Sequence, residues 1–143
     1  MLKTIFMLAL LSLNSFSSEV LLQYVYGNSK SASELTVLSN GVVELKEGES
    51  AFKVDELDSD QIRDLREKLY FSRFGPFLHL RTRTDLRSYG QVVGKVESQE
   101  VILKEKLKDE IWLIENESLA SKEIMKFLNS FDPQHKWRSV TKE

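Results

Sequence analysis

The chain has no cysteine, two prolines and two histidines in 143 residues, and each shortage removes a class of chemistry. Without cysteine there is no disulfide, no thiolate nucleophile, no thiolate metal site and no lipidated cysteine behind a leader. An exported domain of this kind must hold its fold with its hydrophobic core alone. The lack of cysteine fits a bacterial periplasm or exterior better than a eukaryotic secretory route, where small domains are often disulfide-stapled. His79 and His135 stand far apart, and neither lies at ligand spacing from a second histidine or a carboxylate on a helix, so no metal is expected. No glycine-serine nucleophile elbow occurs. Gly90-Gln91-Val92-Val93-Gly94-Lys95-Val96 is one residue short of a phosphate-binding loop and has Val96 where a magnesium-binding hydroxyl belongs. The expectation is a protein without cofactor.

Charge of one sign is also missing. Twenty Lys and Arg stand against 22 Asp and Glu, a net charge of -2, which gives no global case for nucleic acid or an anionic membrane surface. Apolar residues make up 41% and charged residues 29%, the balance of an ordinary globular chain.

The one long apolar run lies at the start. Met1-Leu2-Lys3 leads into Ile5 to Leu13 and then the small polar segment Asn14-Ser15-Phe16-Ser17-Ser18, the three regions of a secretory signal peptide, too short in its apolar part to span a bilayer. Cleavage after Ser17 places Ser15 and Ser17 at the two positions that require small side chains. The expected mature chain, 18–143, is about 125 residues, one domain, secreted or periplasmic, with no transmembrane segment and a polar tail from about 132.

Val20 to Tyr26 has the alternation of a strand. Asn40-Gly41 between two strand-like runs predicts a two-residue type I′ hairpin with Leu38 opposite Val43 and Thr36 opposite Leu45. A short strand carrying Phe52 and Val54 precedes a helix capped by Asp58 with Gln61 in a capping box, its buried stripe Ile62, Leu65 and Leu69. The acidic cluster Asp55, Glu56, Asp58 and Asp60 is accounted for by that cap and the helix dipole, and lacks the glycine of a calcium loop. Phe77 to Arg83 and Gln91 to Val96 read as strands. Val101 to Leu107 is expected to be a strand with Val101, Leu103 and Leu107 on one face, pairing with Ile111 to Ile114 through Lys108-Asp109. A last amphipathic helix runs from Ser121 to Phe131. Leu57-x-Ser59-x-x-Ile62-x-x-Leu65-x-x-x-Leu69 and Leu119-x-Ser121-x-x-Ile124-x-x-Phe127-x-x-x-Phe131 share their spacing, which fits either an internal duplication or two unrelated amphipathic helices. The expected fold is α+β: a mostly antiparallel sheet or half-open barrel with two amphipathic helices on its apolar side.

One constellation fits binding. Period-two geometry over Phe77 to Arg83 puts His79, Arg81 and Arg83 on one face, with Arg87 following in a polar loop. The first three form a cationic stripe, which Arg87 can join from the loop, suited to a carboxylate, a phosphate or an acidic protein surface, or else a solvated face paired with the chain's own acids.

The order of elements, with Leu65-Arg66-Glu67-Lys68-Leu69-Tyr70-Phe71-Ser72-Arg73-Phe74-Gly75-Pro76 closing the first helix, resembles the emfourin-type inhibitors of thermolysin-like metalloproteases. That family usually carries a Gly-Gly-Phe-Ala-Gly-like loop after its first strand, where this chain has Tyr26-Gly27-Asn28-Ser29-Lys30-Ser31-Ala32, so no family contact residue is carried over. The resemblance implies a protein partner, an exported protease. The reading that follows is a small exported non-enzymatic binding protein with protease inhibition as its specific form. A carboxylate-based hydrolase of the cell envelope, which needs no sequence signature, and a structural envelope protein are the alternatives.

Overall fold

The computed structural model describes residues 19–27, 32–81, 89–107 and 110–131; the expected leader and the tail from about 132 lie outside them. The described residues form β1 (Val20–Gly27), β2 (Ala32–Leu38), β3 (Val42–Glu47), β4 (Ser50–Glu56), α1 (Ser59–Phe71), β5 (Phe77–Arg81), β6 (Tyr89–Val96), β7 (Gln99–Lys106), β8 (Trp112–Asn116) and α2 (Leu119–Asn129). All eight strands join one antiparallel sheet in the order β4-β3-β2-β1-β6-β7-β8-β5. The β1–β6 pair joins the two halves of the chain. β4 pairs only with β3 and β5 only with β8, so the sheet is open and does not close into a barrel. The fold is α+β.

The core lies between this sheet and the two helices. Leu22, Tyr24 and Tyr26 alternate along one face of β1 and are buried. Their partners are Val37, Leu35 and Ser33 on β2 and Gly94, Val92 and Gly90 on β6. Leu65 and Leu69 of α1 and Ile124 and Leu128 of α2 close over them. Gly94 permits this approach: a Cβ there would lie 2.2 Å from Leu69 Cδ2.

Asp58 and Gln61 form the expected capping box, with Gln61 N donating to Asp58 Oδ1 at 2.8 Å and Asp58 N donating to Gln61 Oε1 at 2.9 Å. The neighbouring acids are engaged as well, Asp60 by Arg63 at 2.8 Å and Glu56 by Lys53 at 2.7 Å. α2 starts two residues before the expected Ser121, because Ser118 Oγ accepts from Ser121 N at 3.1 Å and caps the helix.

The matched spacing of the two helices does not produce matched faces. Leu128 is buried while its counterpart in α1, Arg66, is exposed. The sheet halves differ too. The edge strand β4 comes last in its half and leads into α1, whereas the edge strand β5 precedes β6.

The Asn40-Gly41 hairpin exists, but its register is one residue from the expected one: Val37 faces Val43, Thr36 faces Glu44 and Leu35 faces Leu45. A type I′ turn needs positive φ at both central residues. Here Gly41 alone has it, at 95°, while Asn40 Oδ1 accepts from Val42 N at 3.0 Å and Gly41 N donates to Leu38 O at 3.0 Å. The loop therefore gains a residue, and the shift sets Leu35, Val37 and Val43 together in the core.

Lys68 links the helices, with Nζ 2.8 Å from Asp64 and 3.3 Å from Glu123. The hydrogen bond that Lys68 donates to Asp64 foremost, with Glu123 adding and partial burial opposing, raises the Lys68 pKa above the ordinary lysine value. A raised folded value means that the bridge stabilises at neutral pH and loses that contribution as pH climbs through the lysine range. Lys68→Met should lower stability at pH 7 by about 0.5–1 kcal/mol. In paired urea titrations the difference from the wild type should shrink above a pH of about 10.4.

Candidate functional site

Gly75, at φ 77°, and Pro76 end the helical segment and hand the chain to β5 at the sheet edge. Its cross-strand partners on β8 are Asn116 for Phe77, Ile114 for His79, Leu113 for Leu80 and Trp112 for Arg81. Leu113 is 1% exposed and marks the helix-covered side, which Leu78 and Leu80 share by alternation. His79 and Arg81 therefore stand on the helix-free side with Trp112 and Ile114. Both are exposed, Trp112 is half exposed, and neither the His79 nor the Arg81 side chain has a hydrogen-bond or ion-pair partner among the described residues. Arg83 and Arg87 lie outside the described residues.

Inward from that edge, one row of residues crosses the same face: Ile114, Glu105, Gln91, Val25 and Glu34. Gln91 donates to Glu105 and Gln23 donates to Glu34 at 2.6 Å. In this row glutamines, rather than His79 or Arg81, engage the carboxylates of Glu105 and Glu34.

On the helix side, a cleft of about 240 Å³ is bounded by β7, β8 and α2 and holds Lys104, Glu115, Glu117 and Lys122. A carboxylate-based hydrolase needs two carboxyl groups facing each other across the substrate. Here each acid faces a lysine, Glu115 with Lys104 at 2.7 Å and Glu117 with Lys122 at 3.0 Å. No group of three or more His, Cys, Asp or Glu among the described residues is placed to hold a metal ion, and no helix among them is long and apolar enough to cross a membrane.

Trp112 is the site residue that sequence reasoning missed. Alternation along β8 places it on one face with Ile114, but its position beside Arg81 arises only from the pairing of β5 with a strand distant in sequence. No protein-family model, no curated protein and no solved structure matches the chain.

Proposed function

We propose that this protein is a non-enzymatic binding module that takes an extended acidic segment of a partner protein along the β5 edge. The observation that carries this reading is Arg81, exposed and without an ion-pair or hydrogen-bond partner among the described residues, directly across the strand pair from the half-exposed Trp112. Arg and Trp are the side chains that most often anchor protein interfaces. An edge strand also presents backbone groups along its open side, to which an incoming strand can add. The guanidinium grips a carboxylate in bidentate fashion, and Arg83 and Arg87 continue the positive charge along the chain. With the signal-peptide-like start, the partner class is an exported protein. The resemblance to emfourin-type inhibitors makes a metalloprotease the specific candidate, and inhibition the consequence of docking.

Affinity capture from the envelope and medium of the exporting cell, run in parallel with wild-type and Arg81→Glu baits, tests this. The expected result is a partner held by the wild type, released by salt and lost from the variant by about tenfold or more, with the thermal midpoint nearly unchanged because exposed ion pairs contribute only about 0–1 kcal/mol. Equal retention by both baits would place the docking surface elsewhere, and unfolding of the variant would make Arg81 structural.

A further inference from the structure

A groove of about 520 Å³ separates the outer surface of α1 from the β6–β7 hairpin and shares no residue with the β5 edge. Its apolar wall is Tyr70, Phe71 and Val96, with Phe71 68% exposed. Arg63, Arg66 and Glu67 line it from the helix, and Lys95 and Glu97 from the hairpin, with Arg63 already held by Asp60 at 2.8 Å. Of the other charges, none of Arg66, Glu67, Lys95 and Glu97 has an ion-pair or hydrogen-bond partner among the described residues. Some neighbouring charges elsewhere do pair, as Lys53 does with Glu56, Lys68 with Asp64 and Lys122 with Glu117. Two cations and two carboxylates are thus left available beside an aromatic wall.

The hairpin that supplies Lys95 and Glu97 turns through Glu97 at φ 50° and Ser98 at φ 68°. These are the two positive angles of a two-residue type I′ hairpin turn between Val96 and Gln99. At the helix end the Arg73 guanidinium lies 3.7 Å from the centre of the Tyr70 ring. It fixes the aromatic ring without using Arg66.

We infer that this groove binds a short peptide with free termini and an apolar side chain. A simple anion would leave Glu67 and Glu97 opposed to it, and a simple cation would leave Arg66 and Lys95 so. A ligand carrying both charges satisfies all four. The apolar side chain buries against Tyr70, Phe71 and Val96, and the volume falls within the range of small-ligand sites, about 300–1,000 Å³.

The experiment uses the dipeptide Leu-Phe as probe, titrated to millimolar concentration into the isotope-labelled protein, with amide NMR signals as the readout. Saturable shifts are expected over 63–71 and 95–97. N-acetylation or C-terminal amidation of the dipeptide should each weaken binding by about tenfold. Lys95→Glu and Glu97→Lys should do the same while the remaining spectrum stays that of the folded chain, since both positions are exposed. Arg81→Glu should leave the titration unchanged. Absence of saturable shifts in this groove would overturn the inference, and so would equal binding of the blocked analogues, which would reduce the site to apolar contact.

Discussion

Asn116→Ala should lower the stability of the protein by about 2–4 kcal/mol, read as a fall in the urea midpoint without a change in slope. Asn116 is 4% exposed and ties three elements together. Its Nδ2 donates to Ser72 O at 2.7 Å and to Ile102 O at 3.1 Å, and its Oδ1 accepts from Ser118 N at 3.1 Å. The end of α1, the middle of β7 and the cap of α2 therefore share one side chain. A sharper result is expected from Asn116→Asp. The introduced carboxylate keeps the acceptor for Ser118 but turns a negative oxygen toward two carbonyls in a site with little water, so at neutral pH it should cost more than alanine. Because burial and the carbonyls raise the folded-state pKa of that carboxyl, the extra loss should shrink as pH falls and the group takes up its proton. If both variants lose the same amount at every pH, the donors to Ser72 and Ile102 contribute nothing specific. The consequence reaches the proposed docking edge, since Asn116 is also the strand partner of Phe77 at the start of β5. Loosening this knot should weaken partner capture even though Arg81 is untouched.

What could be read from sequence follows the range of the interactions involved. The α1 cap was legible because Asp58 and Gln61 complete it within one turn. The strand character of β5 and the shared face of His79 and Arg81 were legible for the same reason, since period two is local. The Asn40-Gly41 turn was visible, but its register was not, because both residues accept a positive φ and only Leu57 N bonding to Gly41 O at 2.7 Å helps fix what the loop does. The β6–β7 turn gave no signal at all, as Glu97 and Ser98 are not residues that mark such a turn. The faces of β7 were misread for a different reason. Alternation set Val101, Leu103 and Leu107 together, but the register slips between Val92 and Val93, where Leu103 is the extra residue on the β7 side. A bulge of this kind reverses the faces beyond it. Lys104 and Lys106 are buried as a result, Lys104 against Glu115, while Leu107 is half exposed. Both the β5–β8 edge and the groove beside α1 depend on contacts between segments distant in sequence, which is why neither Trp112 beside Arg81 nor Phe71 near Lys95 was foreseeable.

The contact between α1 and the sheet predicts a compensating pair of substitutions. Leu69→Ala alone should cost about 3–5 kcal/mol, because Leu69 is fully buried and its removal leaves a cavity against β6. Gly94→Ala alone should cost about 1–3 kcal/mol, since its new methyl would fall 2.2 Å from Leu69 Cδ2 and overpack the same spot. Made together, the changes should be less damaging than their sum by about 1 kcal/mol or more, with the methyl on β6 filling part of the space that Leu69 vacates. Equilibrium unfolding of the two single variants and the double variant measures this coupling directly. Strict additivity would mean that α1 does not rest on Gly94. The same pair bears on the groove, because Gly94 immediately precedes Lys95 and Leu69 immediately precedes Tyr70. Pushing α1 away from β6 with Gly94→Ala should move the two walls apart and weaken the dipeptide titration, and adding Leu69→Ala should recover part of it. Recovery of stability without recovery of binding would separate the groove from the packing beneath it.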